Sequence, residues 1–235
     1  LAVFPFITDK TDDLMMVAVG TSLATIVISS ARSVHAHSKR DAVDFQVLKE
    51  WAVWVVLGVG AGLWVASITD SNRLIIVFAI GVLVYSIYFL SPTMFDRFKG
   101  RWSMPTGAGR ALLASGLGGI SELLGIGGGT IMVLTMVLCD RPIHQAVATA
   151  SGIGFLIGLP GMLGFLYMGL GAENLPTGSV GYINIPALSA IALFSIFTAP
   201  IGARLAPSLA GAQLKQIFGV YLVIVSVTMF VKALG

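Results

Sequence analysis

A carboxylate and a cluster of glycines stand together in Ser121-Glu122-Leu123-Leu124-Gly125-Ile126-Gly127-Gly128-Gly129-Thr130, inside a stretch, residues 111 to 139, otherwise apolar enough to enter a membrane. The chemistry on offer is binding rather than bond-making. Glycine lets a backbone come close to a ligand. Where glycines break a helix they free N–H groups, and the helix that restarts carries roughly +0.5 of an elementary charge at its N-terminus, a natural seat for an anion. Gly127, Gly128, Gly129 and Thr130 are therefore candidate anion-binding positions. Hydrocarbon cannot satisfy the freed amides, so the break must face protein or a wet cavity. Tight helix packing through Gly125 and Gly129, a GxxxG pair, is the competing use. Glu122 is the only acidic residue well inside an apolar span, where a charge costs on the order of 3 kcal/mol. It is either a proton carrier coupled to anion movement or a neutral carboxyl bonded to a neighbouring helix.

Thr149 and Ser151, with Thr21 and Ser22 in the first half, place hydroxyls at the starts of two apolar spans. Hydroxyl donors can hold an anion's oxygen without trapping it, although in membrane helices they more often bond the preceding turn. Asn184 and Asp44 stand at span entries, as a substrate ligand in the case of Asn184 or as helix caps for both. His35, His37 and His144 have no partner spacing that suggests a metal, and Cys139 is alone, which excludes an internal disulfide framework. No metal, cofactor or nucleic-acid partner is expected, and no signature of an oligomeric state is present. A membrane-embedded enzyme would need a nucleophile and base or a metal cluster, and Glu122 has no His or Asp partner in its own span.

The elements that must position these residues are membrane helices. The chain is 56% hydrophobic and 11% charged, with mean hydropathy +0.92, against roughly 45–50% apolar and about 25% charged for soluble domains. Apolar runs near 14 to 36, 51 to 69, 73 to 90, 146 to 170, 186 to 205 and 214 to 234 each reach the roughly 20 residues needed to cross a bilayer. No segment is polar enough to be a separate soluble domain. The lipid bilayer and a small anion are the expected partners.

Loop Lys and Arg mark the cytoplasmic side, and the 14 basic residues test how often the glycine-broken stretch crosses. If residues 108 to 139 enter and leave on one side, Arg32, Lys39, Arg40, Lys49, Arg97, Lys99, Arg101, Arg110, Arg141, Arg204 and Lys215 gather inside, leaving Lys10, Arg73 and Lys232 outside. A single crossing brings the two sides near parity. Length agrees with re-entry, since arms of about 25 Å (108 to 124) and about 15 Å (130 to 139) cannot both span a core of about 30 Å.

A repeat is also legible. AVGTS at 18 to 22 matches AVATA at 146 to 150, Asp44 matches Asn184, and Gly62, Ala66, Leu74, Phe78 and Ser86 match Gly202, Ala206, Leu214, Phe218 and Ser226. Loop 37 to 50 carries Lys39, Arg40 and Lys49 while its counterpart 171 to 185 carries no Lys or Arg, so equivalent loops face opposite sides. The expected fold is an all-α polytopic membrane protein of two inverted repeats, each with three transmembrane helices and a glycine-broken re-entrant hairpin. The first repeat is residues 1–95, lacking its own hairpin because Leu1 to Phe6 aligns with the run after the glycines; 96–107 is a cytoplasmic linker and 108–235 the second repeat. Inverted halves with broken helices place a substrate near the midplane.

In GIGGGTIMVLTMVL at 125 to 138, RPIHQAVATASG at 141 to 152, GYINIPAL at 181 to 188 and APIGARLA at 199 to 206, the chain resembles the TauE/SafE family of sulfite and sulfonate exporters. It departs from the family pattern in lacking the first glycine motif and in having Leu134 where proline often follows the glycines. The resemblance implies a multi-pass protein of the cell (inner) membrane exporting sulfite, sulfoacetate or related sulfonates by alternating access, with proton coupling through Glu122 as an option. A passive small-anion channel and a carrier for small carboxylates are the alternatives.

Overall fold

The computed structural model describes residues 13–91, 101–205 and 211–234, with side chains described throughout except at 196–205, 211–215 and 232–234. Leu1 to Phe6, Lys10, Arg97, Lys99 and Ala206, which enter the repeat and charge readings, lie outside the described residues. The described chain forms α1 (Leu14–Ser38), α2 (Phe45–Ser67), α3 (Ser71–Leu90), α4 (Gly107–Leu124), α5 (Gly129–Leu138), α6 (Ile143–Met168), α7 (Ile185–Leu205) and α8 (Gly211–Leu234). Helices α1, α2, α3 and α6 are long and apolar enough to cross a membrane; the described parts of α7 and α8 are shorter apolar helices. Large apolar side chains such as Trp64, Leu112 and Phe194 face outward. A surface this apolar suits lipid, since water-soluble monomers rarely expose large contiguous apolar patches. The protein is an all-α polytopic membrane protein.

Helix starts follow local capping. The expected span 51 to 69 begins earlier, at Phe45, because the Asp44 carboxylate accepts from the Val47 amide at 3.0 Å. Asp70 does the same for α3 through the Arg73 amide at 2.9 Å. Between α6 and α7 the chain makes a short antiparallel ribbon, β1 (Ser179–Val180) on β2 (Ile183–Asn184), which apolar periodicity did not foretell. Its Tyr182 hydroxyl donates to the Asp13 carboxylate at 3.0 Å, fastening the ribbon to the start of α1. Burial, then the bond to and charge of Asp13, push the phenol up to about 12, so it remains a donor at any physiological pH.

Helix α6 runs unbroken through Pro160 and lies antiparallel to α1, with Ser151, Gly154, Gly158 and Phe165 meeting Ser33, Ser30, Ile26 and Gly20 in turn. Helices α2 and α4 instead run parallel. A Cβ on Gly58 would overlap the Ser115 carbonyl, one on Gly118 the Val55 carbonyl, and one on Gly62 would lie 2.9 Å from the Gly119 carbonyl oxygen. Small residues let the two backbones touch, which is how helices gain contact where no hydrophobic force draws them together.

The hairpin α4–α5 enters and leaves at one end of the bundle. Arg110 at the start of α4 pairs with Glu50, and Arg141 just after α5 lies 3.9 Å from the Asp44 carboxylate. Both acidic partners sit at the beginning of α2, so a single long crossing by residues 107–141 is excluded, in agreement with the charge count. We call this the basic end. Replacing Gly118 by Leu should wedge α4 off α2, and overpacking of this kind costs about 1–3 kcal/mol. A lower midpoint in thermal unfolding of the detergent-purified protein is the expected result.

Candidate functional site

The break occupies residues 125–128, between α4 and α5. Gly125, Gly127 and Gly128 have φ of 59°, 73° and 66°, left-handed values at which a side chain is strained. They reverse the chain within four residues. Gly128 is the N-cap of α5 and no side chain caps that helix. Among the described residues the amides of Gly127, Gly128, Gly129, Thr130 and Ile131 find no protein acceptor. The other side of the break is held: the Gly125 and Ile126 amides bond the Glu122 and Ser121 carbonyls at 3.1 Å, and the Ser22 hydroxyl donates to the Gly125 carbonyl at 2.8 Å.

Two cavities flank the break. The one toward the basic end, of 530 Å³, is bordered by Gly127, Gly129 and Thr130 of the hairpin, Ser29 and Ser30 of α1 and Ser151 of α6, with apolar side chains between. The one on the far side, of 610 Å³, is bordered by Ser22, Gly125, the start of α1 and Thr228 of α8. No charged side chain lines either among the described residues. At the edge of the first cavity the Ser151 hydroxyl bonds that of Ser33 at 2.8 Å, and the Ser30 and Thr130 hydroxyls within it have no partner among the described residues. Free amides plus hydroxyls make a donor-rich, neutral site, suited to an anion that must bind and leave.

The structure sorts the residues singled out from sequence. Gly127, Gly129, Thr130 and Ser151 come together on one cavity and Ser22 borders the other. Gly128 packs instead against Leu117, Ser121 and Ile157. Thr21 and Thr149, both buried, line neither cavity. Each accepts a backbone amide from the opposite half at 2.9 Å: Asn184 bonds Thr21, and Asp44 bonds Thr149. Asn184 also caps α7, its side-chain oxygen accepting from the Ala187 amide at 2.9 Å. Glu122 is fully buried away from both cavities, its carboxyl against Gly161 of α6 and its stem against Gly62 of α2. Among the described residues neither of its oxygens, nor the Ser121 hydroxyl, has a hydrogen-bond partner, so the neighbouring-helix bond is not made there. Sequence reasoning passed over Ser29, Ser30 and Ile126; the paired serines were the available signal.

The model of the family described as "Sulfite exporter TauE/SafE" matches residues 1–229. The chain belongs to the TauE/SafE family. It is 32% identical over 225 residues to a "Probable membrane transporter protein" of Haemophilus influenzae, covering 93% of this chain and 82% of that protein. A second "Probable membrane transporter protein", from Methanocaldococcus jannaschii, is 24% identical over 201 residues, 84% of this chain and 73% of the relative. No solved structure matches the chain significantly. As a TauE/SafE protein the chain is a membrane transporter, not an enzyme.

Thr21→Val and Thr149→Val each leave a backbone amide without its acceptor, a loss worth about 1–3 kcal/mol. The expected outcome is a lowered unfolding temperature for either variant. A double variant with no greater loss than one single would contradict two independent ties.

Proposed function

We propose that the chain is a secondary carrier for small oxyanions of sulfur, sulfite or a sulfonate, and that the cargo binds at the start of α5 in the cavity toward the basic end. The observation that carries this reading is the set of amides from Gly127 to Ile131 without protein acceptors, beside the Ser30 and Thr130 hydroxyls and with no basic side chain among the described lining residues. Hydrogen bonds to a charged partner are worth roughly 1.5–3 kcal/mol each, so a few of them hold an anion while a buried arginine would retain it. The family's description as sulfite exporters supports sulfur oxyanions over carboxylates. With an inside-negative potential, exit of an anion gains roughly 2.3 kcal/mol per charge per 100 mV, which fits export.

The carrier is built of two inverted halves in this reading. Its support is the reciprocal pair of threonine ties, Thr21 to Asn184 and Thr149 to Asp44, and the antiparallel run of both equivalent helix pairs, α1 with α6 and α3 with α8. The latter is marked by Gly219 against Leu90 and Ser226 bonding the Ala79 carbonyl at 2.8 Å. Motion of the hairpin between them supplies alternating access.

Proton coupling through Glu122 belongs to the same proposal. An ionised carboxylate buried without a partner is too costly to persist, so Glu122 carries a proton in the described conformation, and its release accompanies a reseating of α4. Two measurements in proteoliposomes test the reading. Ser30→Ala with Thr130→Val should weaken sulfite uptake about ten-fold or more if two anion bonds are lost, with the protein still eluting as a folded species; unchanged uptake places the cargo elsewhere. Glu122→Gln should keep sulfite flux and abolish its response to an imposed pH gradient. A response equal to that of the parent protein would remove Glu122 from coupling.

A further inference from the structure

Of all described residues, Ile126 alone borders both cavities. Along α1 the division is sharp: Met15, Val19 and Ser22 face the far cavity, whereas Ile26, Ser29 and Ser30 face the one toward the basic end. One helical turn, about 5.4 Å, separates the two linings. Along the hairpin the change occurs across one residue, with Gly125 on one side and Gly127 on the other.

We infer that the Ile126 side chain is the partition between the two cavities, and that its displacement is what passes a small anion from one to the other. The inference rests on the carrier reading and assigns the residue that separates its two access states. A β-branched side chain has few χ1 options, so Ile126 is a poor rotamer gate but a well-defined plug. Its freedom lies in the backbone. Gly125, Gly127 and Gly128 surround it with left-handed φ of 59°, 73° and 66°, and glycine exchanges such conformations at little steric cost. The plug is anchored asymmetrically. On its α4 side the Ile126 amide bonds the Ser121 carbonyl at 3.1 Å and Ser22 holds the Gly125 carbonyl. On its α5 side the amides from Gly127 onward have no protein acceptor, so an anion arriving there contacts the mobile flank of the plug. Binding and gating thus share one segment.

Side-specific thiol labelling tests the partition without relying on transport. In the full chain carrying Cys139→Ser and reconstituted into oriented sealed vesicles, Ser29→Cys and Thr228→Cys are reacted with a membrane-impermeant thiosulfonate from one face at a time. Each cysteine should react from one face only, and the two from opposite faces. Adding Ile126→Ala should let each react from both faces, the second-face rate rising from background to that of the first; Ile126→Val, which removes a single methyl, should give a smaller rise and serves if the alanine variant does not fold. One-sided labelling retained in both variants overturns the inference. Sulfite flux is measured in the same vesicles. Two-sided labelling without flux in any variant leaves the partition standing and removes sulfite as the cargo. Flux that saturates in the parent and becomes a non-saturating leak in Ile126→Ala supports both.

Discussion

Backbone amides with no partner are the constraint from which the rest of this structure follows. Inside a bilayer an unsatisfied N–H costs several kcal/mol, yet the chain interrupts a helix at residues 125–128. Such an interruption persists only when protein encloses it and polar groups or water meet it. The enclosure is built from helix pairs that approach to backbone contact, α4 against α2 and α6 against α1. The polar groups are divided between the two faces of the break. On one face Ser22 and the α4 carbonyls satisfy it internally. The other face opens on the hydroxyl-lined cavity. The asymmetry leaves free donors facing a cavity.

Glu122 shows how closely the hairpin is tied to its surroundings. Room for its side chain exists only because residue 62 on α2 and residue 161 on α6 are glycines; a Cβ at Gly62 would stand 3.0 Å from the Glu122 Cβ, and one at Gly161 would overlap the carboxyl itself. Helix α4 is therefore seated against both neighbours through one carboxylic acid. Ionising that acid in place would strand a charge among glycines and apolar side chains, whereas moving α4 toward water relieves it. In the proposed carrier, protonation and hairpin position would then be coupled by sterics and solvation together.

Much of this was legible in the sequence. Apolar run length located five helices to within three residues at each end, and α2 except for its start, because the bilayer imposes one length on all of them. The glycine cluster revealed the break, and the distribution of Lys and Arg indicated re-entry, which the contacts of Arg110 and Arg141 at the start of α2 bear out. What sequence could not convey depends on which helix meets which. Gly118 and Gly161 are unremarkable until α2 and Glu122 are placed beside them. Thr21 and Thr149 were singled out as a pair of substrate hydroxyls, but whether a hydroxyl faces cargo or a loop amide is settled by rotation of the helix about its axis, and both face loop amides. Ile126 was invisible for the opposite reason. An isoleucine in an apolar run carries no signal, and its position between two cavities exists only in three dimensions.

The threonine ties also limit how the proposed carrier can move. Thr149 on α6 holds the amide that begins α2, and Thr21 on α1 holds the amide that begins α7, so each helix of the central antiparallel pair is fastened to the entry of a helix from the other half. A rocking of one half against the other would break both bonds together and leave two backbone amides unsatisfied, at about 1–3 kcal/mol apiece. It would also separate Gly154 and Gly158 from α1, where contact is already close. The hairpin tip meets far less resistance. Its left-handed glycines can change φ at little steric cost, and its α5 flank lacks backbone bonds to break. In the proposed carrier, access would therefore alternate by movement of a small element within a rigid frame, the division of labour that a site built on a helix break allows.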